Sequence, residues 1–218
     1  MNPLVTFIIP SIGRQSLINT ILSLRKQTRK EWKAIILFDG VRPQLPAQWT
    51  DDPQLQFVFL DKQGTTVGVS HSSAGTIRNH GLSLCETEWA AFVDDDDTVG
   101  EDYVARLYEE IERTENKAEC IVFRMAERMI LPPAEHKDLV FAFVGISFAL
   151  RRSIFADAGI QFQQSEIEDY TLLKRIQKSK HMMILSPYLT YFVRRIPQNP
   201  ADLEWENKDE YRVLLQSS

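Results

Sequence analysis

The feature that most constrains this chain is a set of short apolar runs that do not alternate with polar residues. Leu4–Pro10 reads Leu-Val-Thr-Phe-Ile-Ile-Pro, a compact apolar stretch stopped by proline. Such a run belongs in a strand covered on both faces, so helices must lie on each side of its sheet. The chain supplies them in turn. Gln15–Gln27 carries Leu17, Ile18, Ile21, Leu22 and Leu24 at helical spacing, and Ala34–Phe38 follows as a second strand closed by Asp39-Gly40. A proline-rich loop (Pro43, Pro46, Pro53) leads to a third strand, Leu55–Leu60. Ser72–Leu84 reads as a helix and Trp89–Val93 as a fourth strand. Strand alternating with helix predicts an α/β fold with a mainly parallel central sheet and a Rossmann-like, nucleotide-binding front half.

The back half is less regular. Thr98-x-x-Glu101 has the form of a capping box, opening a helix with Val104, Leu107, Tyr108 and Ile111 on one face. Cys120–Met125 and Val140–Leu150 read as strands, and Arg152–Ala158 as a short helix. Glu166–Lys178 reads as a helix with Ile167, Tyr170, Leu173 and Ile176 inward, followed by strands Met182–Leu185 and Leu189–Val193. No linker-like segment or internal repeat divides the 218 residues, a length that suits one domain. One domain is expected, with a nucleotide-type front half (1–100), an irregular back half (101–195) and a tail (196–218).

Composition narrows the partners. With 25 Lys plus Arg against 30 Asp plus Glu, the net charge of −5 argues against a nucleic-acid-binding protein, which needs a basic surface. The longest apolar stretch, Leu139–Leu150, is well short of the roughly 20 residues that span a bilayer, so no transmembrane span is expected. Met1-Asn2-Pro3-Leu4 carries no basic stretch ahead of its apolar run, unlike a secretory signal. Cys85 and Cys120 read as reduced core thiols, which points to the cytoplasm.

In parallel sheets, ligands bind beyond the carboxyl ends of the strands. Here those ends carry Ser11, Asp39 and Asp94, which are expected to converge on one crevice. Asp94-Asp95-Asp96-Asp97 follows the buried strand Trp-Ala-Ala-Phe-Val directly. Four adjacent carboxylates repel one another, and a hard divalent cation such as Mg²⁺ or Mn²⁺ would offset that. A solvated acidic turn is the bland alternative, disfavoured by the position at the ligand end of the sheet. An EF-hand loop fails, because Val99 and Arg106 stand at its fifth and twelfth positions. Asp94-x-Asp96-x-Thr98 also fits the nucleophile loop of haloacid-dehalogenase-type phosphatases, although that loop follows the first strand of its domain.

Six segments in chain order resemble the family 2 glycosyltransferases, which have the GT-A fold. Phe7-Ile-Ile-Pro-Ser-Ile-Gly-Arg14 is similar to their opening strand, and Leu37-Phe-Asp-Gly40 to their second strand and turn. Gly75-Thr-Ile-Arg-Asn-His-Gly-Leu82 resembles a glycine- and arginine-containing helix, and Phe92-Val-Asp-Asp-Asp-Asp97 the metal-binding D-x-D motif. Val144–Arg152 resembles the acceptor-side segment, and Glu168-Asp169-Tyr-Thr-Leu-Leu173 the start of the helix that carries the base. Ile12 stands where the family often has an aromatic residue, and Phe38 where a second aspartate is common.

The resemblance implies inverting transfer of a sugar from a nucleotide-diphosphate sugar, with a UDP-sugar ahead of GDP- or dTDP-sugars, to a hydroxyl of a glycan, lipid or protein. It assigns Pro10, Ser11 and Asp39 to the nucleoside, with Asp39 accepting hydrogen bonds from the base. Arg78, Asp94 and Asp95 go to the rest of the nucleotide-sugar, Asp96 to a Mn²⁺ or Mg²⁺ ion, and Asp169 to the catalytic base. Glu168, Arg194 and Arg195 are candidates for the acceptor or the diphosphate. Each has a plainer reading: Glu168 and Asp169 suit a helix N-terminus, and Arg194-Arg195 a solvated strand edge. A catalytically silent nucleotide-sugar-binding module is the non-enzyme alternative.

Overall fold

The computed structural model describes residues 3–62, 73–127, 129–133, 135–136, 138–139, 143–156, 160–165 and 167–193. The front half follows the apolar runs: β1 Val5–Ser11, β2 Trp32–Asp39, β3 Leu55–Leu60 and β4 Trp89–Phe92. They pair in parallel in the order β3-β2-β1-β4. Helices α1 (Leu17–Arg25), α2 (Ala47–Thr50) and α3 (Ser73–Leu84) connect them. The absence of alternation in β1 has its expected cause: Val5, Phe7, Ile8 and Ile9 are all fully buried. Helix α3 lies close on β1 because Gly81 has no side chain; a Cβ there would stand 2.5 Å from Ile8 Cγ2.

The back half extends the same sheet. It adds β5 (Thr98–Val99), α4 (Tyr103–Arg113), β6 (Cys120–Ala126), β7 (Ile130–Leu131), β8 (Phe148–Arg151), a 3₁₀ turn at Arg152–Ala156, α5 (Glu168–Lys178) and β9 (Met183–Phe192). Among the described residues the sheet has nine strands, ordered β3-β2-β1-β4-β8-β6-β9-β5, with β7 on β6. β8 runs antiparallel to both β4 and β6, while β6 and β9 are parallel, so β1, β2, β3, β4, β6 and β9 all point one way. Their carboxyl ends therefore share one edge of the sheet. The chain is an α/β fold of the GT-A type. Cys85 and Cys120 are buried free thiols in its core.

Several local expectations are corrected. Helix α1 begins at Leu17, and Ile18 and Leu22 are exposed. The polar Thr20 takes a buried position, with its hydroxyl donating to the Asp97 carbonyl at 2.7 Å. The capping box at Thr98 does not form: Thr98 and Val99 pair with β9 instead. The N-terminus of α4 is capped from 77 residues away, where fully buried Gln27 accepts from Val104 N (3.0 Å) and donates to Gly100 O (2.5 Å). Helix α5 starts at Glu168 with Leu172, Leu173 and Ile176 buried, while Ile167 is exposed. In place of a strand from Val140, of which residues 140–142 lie outside the described residues, only Phe148–Arg151 pairs. The two C-terminal strands are one. β9 runs through Pro187 on a bulge, with Leu185 opposite Val122 and Leu189 opposite Arg124, so the missing proline N–H breaks no ladder.

The Gln27 cap is testable. Gln27→Met keeps the volume but leaves the buried Val104 amide without its acceptor and removes one of the two donors to Gly100 O. Urea unfolding should show a loss of about 1–3 kcal/mol; an unchanged midpoint would mean that α4 is held without this cap.

Candidate active site

An open crevice of about 530 Å³ lies beyond the carboxyl ends of the parallel strands. β1 contributes Pro10 and Ser11, β2 contributes Asp39, and the turn after β4 contributes Asp94–Asp97. Ala74, Ile77 and Arg78 come from α3, Glu168 and Asp169 from the first turn of α5, and Tyr191 and Val193 from the end of β9. This is the point where connections leave β1 in one direction and β4 in the other, the switch point at which open α/β sheets bind ligands. Pro10, Ser11, Asp39, Arg78, Asp94, Asp95, Asp96, Glu168 and Asp169 thus share one crevice, although they come from positions 10 to 169 of the chain. Arg194 and Arg195 lie outside the described residues.

The aspartate run resolves its own repulsion by alternation. The Asp94 and Asp96 side chains are 39% and 32% exposed and face the crevice, while that of Asp95 is 4% exposed and Asp97 is buried. Asp95 Oδ2 accepts from Ser11 Oγ (2.8 Å) and Ile12 N (3.2 Å), and Oδ1 from Arg14 Nη1 (2.8 Å). Asp95 therefore fixes the loop between β1 and α1. Arg14 Nη1 is also 2.9 Å from Asp96 Oδ2. Burial pushes the Asp96 carboxyl above its ordinary range against the pull of Arg14, and Asp94 and Asp95 push the same way. Tyr191, fully buried, donates to Asp97 Oδ2 (2.7 Å) and accepts from Asp94 N (3.2 Å). Arginines and a phenol already hold the cluster, so the repulsion expected from sequence does not by itself require a metal.

Arg78 joins the two halves. Its guanidinium is 3% exposed and donates through Nη2 to Asp94 Oδ1 at 2.5 Å and through Nη1 to Glu168 Oε1. The bridge needs α3 close to the segment before α5, and Gly75 permits that approach: a Cβ there would stand 2.8 Å from Gln163 O and 3.3 Å from Glu168 Cγ. Next along α5, Asp169 lines the crevice and accepts from Tyr170 N at 2.6 Å. Burial raises its carboxyl above the usual value; Glu168 and Asp94 add to the rise, and the Tyr170 amide and Arg78 oppose it. A half-buried carboxylate with raised basicity, facing an open crevice, can accept a proton from a ligand hydroxyl.

Sequence reasoning assigned no role to Arg14, Tyr191, Met125 or Glu127, and none individually to Asp97, Gly145 or Ile146 within the motifs it noted; all line or brace this crevice. Arg14 closed a motif that was noticed, so its signal was present. Tyr191 carried none, since its partner lies 94 residues away.

Three comparisons bear on this geometry. The family model described as Glycosyl transferase family 2 matches residues 6–162. The putative glycosyltransferase EpsH of Bacillus subtilis (strain 168) is 27% identical over 106 residues, which are 48% of this chain and 29% of EpsH. The S. aureus TarS 1-349 structure in complex with UDP-GlcNAc superposes with a TM-score of 0.68 at 15% identity, covering 90% of this chain and 60% of that one. The mannosyltransferase PcManGT from Pyrobaculum calidifontis, in complex with GDP-Man and Mn²⁺, gives 0.66 at 13% identity, covering 92% of this chain and 59% of its own. The chain thus spans under a third of EpsH and about three fifths of each of the other two.

The bracing by Tyr191 can be checked without any ligand. Tyr191→Phe leaves Asp97 and the Asp94 amide each short of a partner. Unfolding free energy should fall by about 1–3 kcal/mol; no change would show that the aspartate turn stands without the phenol.

Proposed function

The chain belongs to glycosyl transferase family 2, and from that premise we propose that it transfers a sugar from a nucleotide-diphosphate donor to an acceptor hydroxyl, with inversion at the anomeric carbon. The observation that carries the reading is one crevice holding strand-end aspartates from the front half and a carboxylate of raised basicity, Asp169, from the back half. The donor class is supported by relatives solved with UDP-GlcNAc and with GDP-Man. A UDP-sugar is the first donor to test, with a glycan, lipid or protein hydroxyl as acceptor. Residues 1–100 hold the donor and 101–195 supply the base. Among the described residues no helix is long and apolar enough to cross a membrane. Two buried free thiols suit a reducing compartment, and the proposed location is the cytoplasm, in solution or at the membrane periphery.

In this mechanism Pro10, Ser11 and Asp39 line the nucleoside end, with the Asp39 carboxylate accepting from the base. Asp95 acts through the loop it fixes. Arg78 pairs with Asp94 and keeps it turned toward donor hydroxyls, and it holds Glu168 so that the first turn of α5 presents Asp169. Asp169 takes the acceptor proton as the hydroxyl attacks opposite the departing diphosphate. Among the described residues no three His, Cys, Asp or Glu side chains gather into a metal cage. The crevice-facing Asp94 and Asp96 nonetheless offer oxygen donors, which suit a hard cation that also takes substrate phosphate oxygens. Mn²⁺ or Mg²⁺ on Asp96 would neutralise charge building on the leaving diphosphate. The family match sets the phosphatase reading aside, and turnover distinguishes an enzyme from a silent binding module.

The base assignment makes two linked predictions. Asp169→Asn should leave donor binding nearly intact and lower kcat by roughly 10²-fold or more. Burial raises the Asp169 pKa in the folded state, so its stabilising contribution is complete below the unfolded pKa and is lost as pH rises through the folded one. At pH 7 the Asn variant should therefore melt no lower than the parent, whereas a role limited to favouring the helix N-terminus predicts a lower Tm and normal kcat. The acid limb of kcat should lie above the ordinary aspartate value of about 3.9. Near-normal kcat in Asp169→Asn would remove it from the mechanism. For the metal, adding Mn²⁺ should tighten UDP binding in calorimetry and Asp96→Ala should abolish that gain; equal affinity in EDTA would overturn the assignment.

A further inference from the structure

Arg14 lines the crevice, and its geometry is asymmetric. A single nitrogen, Nη1, serves both Asp95 Oδ1 (2.8 Å) and Asp96 Oδ2 (2.9 Å). The two ends of this contact differ in strength. Asp95 is buried and its other oxygen is taken by Ser11 and Ile12, so that end is an anchor. Asp96 is a third exposed and opens on the crevice, and the Arg14 side chain is itself 45% exposed. An ion pair between half-exposed groups is weak, whereas a divalent ion in direct contact with a carboxylate carries twice the charge at shorter range.

We propose that Arg14 is an exchangeable counter-ion for Asp96: it holds that carboxylate until a divalent ion arrives, then yields Asp96 and stays tethered to Asp95 at the crevice mouth. This rests on the reading of Asp96 as the metal ligand. Arg14 and the ion compete for one carboxylate and also repel each other, so both effects make Arg14 lower the affinity for the ion. The competition is reciprocal, and the ion must therefore loosen Arg14. A guanidinium freed from Asp96 but kept at Asp95 stands beside the place where the leaving diphosphate gathers charge, which makes Arg14 a positioning residue for the donor.

The test needs no substrate. Mn²⁺ is titrated into the unaltered chain, Arg14→Gln and Asp96→Ala, with free ion read by electron paramagnetic resonance and folding checked by melting. Arg14→Gln should bind Mn²⁺ about two- to fivefold tighter, the worth of a half-exposed pair, and Asp96→Ala should lose the site. In the unaltered chain, Mg²⁺ should speed phenylglyoxal labelling of Arg14, read by mass spectrometry, about twofold or more. Mn²⁺ binding that Asp96→Ala abolishes but Arg14→Gln leaves unchanged or weaker overturns this proposal and spares the metal assignment. Absence of Mn²⁺ binding in all three proteins overturns both. If Arg14→Gln unfolds, the labelling decides alone, and a rate indifferent to Mg²⁺ overturns the proposal.

Discussion

Four consecutive carboxylates at the end of a buried strand are the constraint around which the rest is arranged. They can coexist because the backbone alternates them, Asp94 and Asp96 toward the crevice, Asp95 and Asp97 toward the interior. Each inward carboxylate is then met by donors from another element: Ser11, the Ile12 amide and Arg14 at Asp95, and Tyr191 at Asp97. Unpaired buried charge would be costly. The contacts that remove that cost also fix the loop after β1 and the end of β9 against the turn after β4, and the crevice walls follow from them.

Arg78 extends the same logic across the molecule. One guanidinium pairs with Asp94 from the front half of the chain and with Glu168 from the back half, so the start of α5 is tied to the aspartate turn. Gly75 is the steric condition for that coupling. Asp169, adjacent to Glu168, inherits its position from this bridge, and its raised basicity comes from burial and from neighbouring carboxylates. The aspartate turn and the first turn of α5 are thus held in register through Arg78.

Much of the fold was legible in the sequence because the front half buries its strands on both faces, and such runs depend little on their surroundings. β3 matches its expected bounds, and β1, β2 and β4 agree within a few residues. The back half was read less well, for physical reasons that are local to each error. Thr98-x-x-Glu101 has the letters of a capping box, but β9 needs an edge partner there and Gln27 satisfies the helix amide from a distance. Pro187 split one strand into two on paper, although a bulge accommodates it. Ile167 was placed inward by period alone, but the face of α5 that turns in is the one carrying Glu168, whose burial is tolerated only because Arg78 pairs with it.

The sequence by itself determined the class of fold, the family, and which acidic residues stand at strand ends, because all of these follow from local runs and short motifs. Tertiary structure alone decided what those acids do to one another. The inward turn of Asp95 and Asp97, the sharing of Arg14 between two aspartates, and the bridge from Asp94 to Glu168 join residues separated by tens of positions in the chain. Such contacts leave no periodic trace. They arise where buried charge must find a partner, and only the packed sheet and the helices on it determine which partner is within reach.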